Sequence, residues 1–417
     1  KIKSMEVIRK NPYQLAEDVK GIGFLKADEI ALKNGVAPDS PFRVESAVLY
    51  VLGKMNDDGD VFGTVTAVEN QCCEFLGLDV SYVDSAIDRL ANAKKIIKED
   101  EAIYPEKLFR AESDTASNLV RLLTTSDANN IEITADDIVE YGKKHKIEYA
   151  DEQIEAIITA CKSNVMILTG GPGTGKTTII KALVKGFQLG GLGRIILCAP
   201  TGRAAKRLTE ATEFEATTIH RLLVPVQGSD SYDFTKNEDD PLDIDVIIID
   251  EASMLNVRLF YSLMAAIPKE AHVIIVGDVD QLPPIGAGFV LKDLLDSDCV
   301  PYTRLNQIYR QSSGNTIVES AYAINRGEMP NLEGVSEEFS FIPVKSYDMM
   351  MKAIIDVYKR EQETIEDELD IQIISPMRRG EAGSTLISQY VQQAVNPPDS
   401  YKGEVRVNGI TYRVGDK

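Results

Sequence analysis

A glycine-rich segment near the middle of the sequence has the residue types and the spacing of a phosphate-binding loop. Residues 170–178 read GGPGTGKTT and lie between a predicted strand and a predicted helix. Glycines let backbone N–H groups surround a phosphate, the lysine ammonium reaches the outer phosphates, and the following threonine hydroxyl is a ligand for Mg²⁺. The segment therefore predicts a site for ATP with Mg²⁺. The residues expected to bind it are Gly171, Pro172, Gly173, Thr174, Gly175, Lys176, Thr177 and Thr178.

Two adjacent acids follow another apolar run, residues 246–249. Because parallel strands place their carboxyl ends at one edge of a sheet, we expect these acids to lie beside the phosphates. Asp250 suits a magnesium site shared with Thr177, and Glu251 suits the base that orients an attacking water. Acidic pairs also occur at solvated strand ends and at helix caps, but the phosphate-binding segment upstream disfavours that interpretation.

The N-terminal residues 11–32 predict two short helices that are separated at Gly21, Ile22 and Gly23. Two glycines around one aliphatic residue allow a tight turn with outward N–H groups, and the second helix adds the positive end of its dipole. This pattern resembles a helix-hairpin-helix element, which binds a phosphate backbone without reading bases. The alternative is an ordinary helical turn with a glycine C-cap. A helix followed by a predicted β-hairpin at 96–104 resembles a winged helix, to which we assign no function.

Several segments occur in the order found in superfamily 1 helicases. They are APTGRAA at 199–205, DEAS at 250–253, GDVDQLPP at 277–284, QIYRQ at 307–311 and ISPMRRG at 374–380. Together with the helix-hairpin-helix pattern they make the sequence most similar to the RecD-like 5′-to-3′ DNA helicases. The resemblance covers essentially the whole chain. The five segments and the glycine-rich loop at 170–178 are six motifs, and their spacing makes the resemblance more specific than any one of them.

The resemblance implies roles for individual residues of the ATP site. Gln281 is expected between the γ-phosphate and DNA, and Arg310 is expected to stabilise the γ-phosphate as an arginine finger. These two join Lys176 and Glu251 in the predicted catalytic set. Gln153, about one helix ahead of the loop, matches the adenine-reading glutamine of the family.

The same resemblance implies contacts with the DNA strand. Thr201, Arg203 and His220 are expected to touch the strand being tracked, although a histidine packed within the protein is an equally good account of His220. Arg378 and Arg379 are expected to meet phosphates from the second motor lobe, or to be a solvated charge pair. The predicted partner is therefore single-stranded DNA, or DNA with a single-stranded tail.

These residues need a framework of parallel strands. The expected fold class is α/β, a P-loop RecA-like parallel-sheet motor core preceded by a mostly helical helix-hairpin-helix and winged-helix-like region. The expected parts are residues 1–110 for DNA binding, 111–150 as a helical lead-in, 151–315 as the first ATPase lobe, and 316–417 as an incomplete second lobe with a strand at 372–375. An insertion at 222–243 stands where RecD-like enzymes carry a hairpin that splits the duplex.

Composition limits the range of functions. A net charge of −20 argues against tight non-specific duplex binding, although a local strip of donors suffices for a strand. No apolar run of 18 residues and no signal-like N-terminus occur, which predicts no membrane span. Five cysteines and three histidines lack the spacing of a zinc site or a disulfide framework, so a reduced cytoplasmic compartment is expected.

Two later motifs of the helicase family, and its usual N-terminal part, do not occur in these 417 residues. We therefore expect a fragment that binds Mg²⁺-ATP but hydrolyses it weakly by itself. Two other functions use the same ATP chemistry. One is an RNA-directed superfamily 1 helicase, and the other is a non-motor DNA-binding subunit whose conformation is switched by ATP. Lys176, Glu251, Gln281 and Arg310 disfavour the switch, because a switch does not need a positioned hydrolytic water.

Overall fold

The computed structural model describes residues 11–19, 22–125, 131, 133–228, 232–305, 316–332, 338–365 and 370–416. The chain divides into two compact units, Lys1–Gln311 and Ser312–Lys417. Within the described ranges, no helix combines the length and the apolar character that crossing a membrane requires.

The N-terminal part of the first unit is mostly helical. Its helices are α1 (Gln14–Asp18), α2 (Phe24–Lys33), α3 (Pro41–Asp57), α4 (Val65–Leu76) and α5 (Val80–Asn92). Its strands are β1 (Gly63–Thr64), β2 (Ile96–Glu99) and β3 (Ala102–Pro105), which form an antiparallel sheet in the order β1-β3-β2. The predicted break between the first two helices and the predicted β-hairpin at 96–104 are both confirmed.

A buried ionic network fixes α2 against its neighbours. The Asp28 carboxylate accepts from the Tyr13 hydroxyl at 2.7 Å and from Arg43 Nε at 2.9 Å, and Arg43 Nη1 also donates to the Pro38 carbonyl at 2.8 Å. Tyr13 is fully buried and Arg43 is 8% exposed, so the carboxylate satisfies groups that would otherwise lie buried without partners. These bonds therefore hold α2, which begins directly after residues 22–23, against Tyr13 and α3.

A six-stranded parallel sheet forms the centre of the first unit. Its strands are β4 (Val165–Gly170), β5 (Ile195–Ala199), β6 (Ala216–Thr218), β7 (Val246–Ile249), β8 (His272–Gly277) and β9 (Tyr302–Leu305), in the order β6-β5-β7-β8-β4-β9. Ile247 and Ile249 belong to one apolar cluster, and Val246 and Ile248 belong to another. Alternate side chains thus enter cores on both faces, which explains the continuous apolar runs in the sequence. The predicted α/β class is confirmed.

Helices cover this sheet. They are α6 (Glu106–Leu123), α7 (Ala135–His145), α8 (Asp151–Lys162), α9 (Lys176–Leu189), α10 (Gly202–Thr212), α11 (Ile219–Leu223), α12 (Val257–Ala265) and α13 (Val290–Asp296). The predicted division at 110/111 falls inside α6, which packs against α12. Arg121 Nη2 of α6 donates to the Ile267 carbonyl at 2.9 Å, so this helix is part of the ATPase core as well as the link to the N-terminal helices.

The second unit has a smaller ordered core. Its elements are α14 (Thr316–Asn325), α15 (Tyr347–Gln362), α16 (Ser384–Val395) and an antiparallel hairpin of β10 (Glu404–Val407) and β11 (Ile410–Arg413). The strand expected at 372–375 is wrong, because these residues form no strand. Ile374 is 87% exposed, and the Ser375 hydroxyl instead donates to the Met377 carbonyl at 2.8 Å. A short apolar run forms a strand only where the backbone of a neighbouring strand offers hydrogen bonds. Assignment of 316–417 to a second motor lobe stays a prediction.

Candidate active site

The candidate site lies at the carboxyl edge of the parallel sheet. Thr169 of β4 pairs with Gly277 of β8, and Ile249 of β7 pairs with Ile275 of β8. In this register β4 and β8 end within one residue of each other, and β7 ends two residues earlier than β8. The glycine-rich loop, the acidic pair and the residue after β8 therefore leave the sheet at one edge, as the sequence predicts for a phosphate site.

The loop conformation explains its glycines. Gly173 and Gly175 have φ of +81° and +85°, which is a left-handed conformation that favours glycine. A Cβ on Gly175 would lie 2.5 Å from Gln153 Nε2, and a Cβ on Gly170 would lie 2.8 Å from the Leu305 carbonyl oxygen. Gly175 is the N-cap of α9 and offers no side-chain cap. The first N–H groups of α9 are thus arranged for an external anion.

Lys176 lies among acids at the start of α9. Its Nζ donates to the carbonyl oxygens of Gly170 at 2.6 Å and Gly171 at 3.0 Å. Burial lowers the pKa of Lys176, while the carboxylates of Asp278, Asp250 and Glu251 oppose that shift. The ammonium is therefore held at the loop by its own carbonyl groups and faces three negative charges.

The acids after β7 have distinct environments. Asp250 N donates to the Cys198 carbonyl at 2.9 Å, which ties the acidic pair to β5. Burial raises the pKa of Asp250 to about 6. Glu251 has φ 55° and ψ 41°, a left-handed conformation that is uncommon for a residue with a side chain. It begins a 3₁₀ turn, Ala252–Met254. Such strain is frequent where a side chain must be aimed at a reacting group.

Asp278 is a residue of the candidate site for which the sequence motifs predict no role. It follows β8 directly, is 2% exposed, and accepts from the Asp280 N–H at 3.1 Å. The signal was present in the sequence, because Asp278 stands after its strand as Asp250 stands after β7. Gln281, a predicted catalytic residue, lies exposed just beyond Asp278 and donates its backbone N–H to the Asp278 carbonyl at 3.2 Å.

The donor set fits a magnesium nucleotide. Thr177 is partly exposed on α9, and Asp250 offers a carboxylate of the kind that Mg²⁺ prefers. Thr169 Oγ1 and Ser253 Oγ, both close to Gly277, are buried and have no hydrogen-bond partner among the residues that the structure describes. Buried hydroxyls without partners are costly, and they are consistent with a site whose hydrogen bonds are completed by a ligand or its waters.

Gln153 supports the loop in this structure. Its Nε2 donates to the Thr174 carbonyl at 3.2 Å, its Oε1 accepts from the Ala150 N–H at 3.2 Å, and the residue is 4% exposed. Both ends of the amide therefore contact the protein. Contact between Gln153 and adenine stays a prediction.

The residues predicted to contact DNA lie at several places. Thr201 is the N-cap of α10, and its hydroxyl accepts from the Ala204 N–H at 3.2 Å. Arg203 and His220 are exposed, and the His220 ring lies 5.6 Å from that of Phe234. In the N-terminal region Gly23 is exposed and Ile22 partly buried, and in the second unit Arg378 and Arg379 are exposed. Gly21 and Arg310 lie outside the described residues.

The pKa of Asp250 leads to a prediction about stability. An acid whose pKa is higher in the folded than in the unfolded protein costs the fold stability once the pH exceeds both values. We expect Asp250→Asn to stabilise the nucleotide-free protein by roughly 3 kcal/mol at pH 8, with the gain disappearing towards pH 4. Thermal unfolding of the unaltered protein and of Asp250→Asn between about pH 5 and 8 measures the difference in their stability.

Asp245 provides a control of opposite sign for this prediction. Its hydrogen bond from Arg194 lowers the pKa of the Asp245 carboxyl, so Asp245→Asn should destabilise the protein at pH 8. If the difference in stability between Asp250→Asn and the unaltered protein does not change with pH, burial of the Asp250 carboxylate does not destabilise the fold.

Known families and proteins match the chain along most of its length. Residues 1–62 match the family described as ATP-dependent RecD2 DNA helicase HHH domain, and residues 153–287 match a family described as AAA domain. The chain is 31% identical over 431 residues to the ATP-dependent RecD2 DNA helicase of Deinococcus radiodurans. That alignment covers 99% of this chain and 57% of the relative.

Two other relatives match with lower coverage of their own length. The chain is 27% identical to an uncharacterized protein of Methanocaldococcus jannaschii, over 97% of this chain and 42% of that protein. It is 34% identical to the RecBCD enzyme subunit RecD of Mycobacterium tuberculosis, over 55% of this chain and 42% of that subunit. The chain spans about half the length of the curated relatives that it matches.

Proposed function

Since this chain is a relative of the RecD-like superfamily 1 helicases, we propose that it binds Mg²⁺-ATP at the carboxyl edge of its parallel sheet and couples ATP hydrolysis to movement along single-stranded DNA. The observation that carries the proposal is the juxtaposition of Lys176 with Asp250, Glu251 and Asp278 beside a glycine-rich helix start. A site that only binds ATP does not require an acid with left-handed backbone, such as Glu251, next to a carboxylate suited to Mg²⁺, such as Asp250.

Each residue of the edge has a proposed role. The loop N–H groups and Lys176 bind the β- and γ-phosphates, and Thr177 and Asp250 hold Mg²⁺, which neutralises charge on the phosphates when bound. Glu251 orients the attacking water and takes its proton. Gln281, three residues after Asp278, is proposed to lie between the γ-phosphate and DNA and to couple hydrolysis to movement. Arg310 completes the set as a charge-stabilising finger, and Gln153 is proposed to add adenine recognition to its contact with the loop.

The proposed DNA partner is a single strand or a tailed duplex. Contacts are assigned to Thr201, Arg203 and His220 in the first unit and to Arg378 and Arg379 in the second. Movement on such substrates is consistent with roles in DNA repair and recombination. A cytoplasmic location, which the free cysteines favour, belongs to the same proposal.

The turn at residues 21–23 is proposed to hold a DNA phosphate. Gly23 has φ −86° and ψ 174°, an extended conformation that other residues adopt, and an added Cβ would meet no atom of the described residues within 4 Å. Neither the backbone conformation nor the packing of Gly23 therefore requires glycine. A DNA backbone that approaches the turn closely would leave no room for a side chain, and this explains the glycine. We expect Gly23→Val to weaken binding equally for unrelated DNA sequences, and to flatten the salt dependence by roughly one unit for each phosphate that the turn no longer binds.

Salt-dependent titrations of fluorescent oligonucleotides measure this effect. Gly53→Val is the matched control, because Gly53 lies within α3 and its added Cβ would also meet open space. Unchanged DNA affinity in a folded Gly23→Val protein would return the turn to an ordinary structural role.

The choice between DNA and RNA is tested by ATP turnover in the full-length gene product. We expect oligo-dT to stimulate hydrolysis more strongly than oligo-U of the same length. Preferential stimulation by oligo-U would support the RNA-directed alternative. Absence of stimulation by either strand would contradict the proposed coupling, while leaving ATP binding to be measured separately.

A further inference from the structure

Asn256 lies where three segments of the first unit meet. Its Nδ2 donates to the Tyr232 hydroxyl at 2.8 Å and to the Ile285 carbonyl at 2.9 Å, and its Oδ1 accepts from the Leu259 N–H at 3.0 Å. The residue is 8% exposed. Both amide hydrogens and the amide oxygen are therefore used inside the protein, in one arrangement.

The first segment is the turn that carries the acidic pair. The chain runs from Glu251 through the 3₁₀ turn Ala252–Met254 to Asn256, which is the N-cap of α12. Leu255, between them, is 1% exposed and donates its N–H to the Ala252 carbonyl. A shift of the acid-bearing turn on nucleotide binding therefore reaches Asn256 through a short and tightly packed connection.

The second segment is the loop after Gln281. Gly286 and Gly288 both have φ of +96°. A Cβ on Gly286 would lie 3.2 Å from Asn256 Nδ2, and one on Gly288 would lie 2.9 Å from Val257 Cβ. The Val257 N–H also donates to the Ala287 carbonyl at 3.0 Å. The backbone of this loop thus packs directly against the start of α12.

The third segment is the insertion at 222–243. Its two arms pair where Val226 N donates to the Asp233 carbonyl and Thr235 N donates to the Val224 carbonyl, both at 2.9 Å. Tyr232 lies on the returning arm, and the Arg258 guanidinium lies over its ring at 4.3 Å. The insertion is therefore attached to α12 at the residue that Asn256 contacts.

We infer that Asn256 is a positioning residue that makes the acid-bearing turn, the loop after Gln281 and the 222–243 insertion respond together to the nucleotide. Moving any one segment alone leaves a buried amide hydrogen or carbonyl without its partner, which costs more than the bond itself contributes. The inference rests on the proposed ATP site. It adds the route by which that site changes the position of the insertion.

Two substitutions cut the two links separately. In Asn256→Asp the carboxylate still caps α12 and can accept from the Tyr232 hydroxyl, but it cannot donate to the Ile285 carbonyl. Tyr232→Phe removes the hydroxyl that Asn256 bonds, and it keeps both the ring under Arg258 and the bond from the Ser262 hydroxyl to the Tyr232 carbonyl. Tyr261→Phe is the matched control, because it removes the same atom from a tyrosine of α12 that Asn256 does not bond.

Amide hydrogen exchange with and without Mg²⁺ and a non-hydrolysable ATP analogue tests the inference in the full-length gene product. In the unaltered protein the analogue should slow exchange at 171–178 and change it at Val226 and Thr235. Tyr232→Phe should keep the first effect and lose the second. Asn256→Asp should keep the first and weaken the second, because it keeps the bond to Tyr232 and loses only the one to Ile285. Tyr261→Phe should keep both. Without nucleotide, Tyr232→Phe should speed exchange at Val226 and Thr235 by about 2- to 10-fold, the effect of one net hydrogen bond.

Three results would overturn the inference, and they are distinguishable. A nucleotide-dependent change at Val226 and Thr235 that survives both substitutions would mean that another route links the segments. Protection of 171–178 without any change in the insertion of the unaltered protein would mean that no such link operates. Absence of protection at 171–178 would remove the proposed ATP site, and the inference with it.

Discussion

Replacing Glu251 with glutamine is expected to lower single-turnover ATP hydrolysis by about 100- to 10,000-fold, which is the usual contribution of a positioned general base. Glutamine has the same size and tolerates the same turn, but its amide cannot take a proton from water. Nucleotide binding should remain, because Lys176 and the loop N–H groups are unchanged. Nucleotide-binding fluorescence and single-turnover hydrolysis, measured on the same preparations of the full-length gene product, give the two quantities.

Glu210→Gln is the control for this substitution, since Glu210 is an exposed acid on α10 whose contact is an ion pair with Lys206. It should leave both quantities unchanged. If Glu251→Gln hydrolyses ATP at the original rate, Glu251 is not the base. The buried Asp278 would then be the next acid to test.

Replacing Lys176 with alanine is expected to remove both binding and hydrolysis. The side chain supplies charge-assisted hydrogen bonds to phosphate, and removing each one weakens nucleotide binding by about 10- to 150-fold. The effect is enlarged here because the ammonium faces Asp250, Glu251 and Asp278. Without it, these three acids repel the phosphates. Equilibrium binding of a fluorescent ATP analogue measures the decrease in affinity.

Lys181→Ala tests whether the effect is specific to the site. Lys181 lies on the same helix as Lys176, but its Nζ forms an ion pair with Glu213 at 2.6 Å. This variant should bind nucleotide normally. Full affinity in Lys176→Ala would mean that the phosphates bind elsewhere.

The sequence predicted the parts of the site whose signals are local. A strand buried on both faces gives a continuous apolar run, and the glycines of the loop are required by left-handed backbone and by close contacts with Gln153 and Leu305. The acids at Asp250 and Glu251 stand directly after such a run. Because parallel strands end at one edge, the order of these segments was sufficient to predict that they meet.

Features that depend on contacts between distant segments were not predicted. Asn256 contacts Tyr232 and Ile285, and no periodicity in the sequence relates the three. The same limit explains the wrong strand at 372–375, because an apolar run does not reveal whether another strand lies beside it. It also explains the division placed inside α6, whose apolar face packs against a helix more than a hundred residues later.

Movement along single-stranded DNA, driven by ATP hydrolysis, is tested by ATP-dependent displacement of streptavidin from biotinylated oligo-dT by the full-length gene product. The proposed function predicts faster displacement from the 3′ end than from the 5′ end, as 5′-to-3′ movement requires, and no displacement by Lys176→Ala. DNA-stimulated hydrolysis without displacement from either end would contradict such movement. That result would instead identify a DNA-binding subunit whose conformation is switched by ATP.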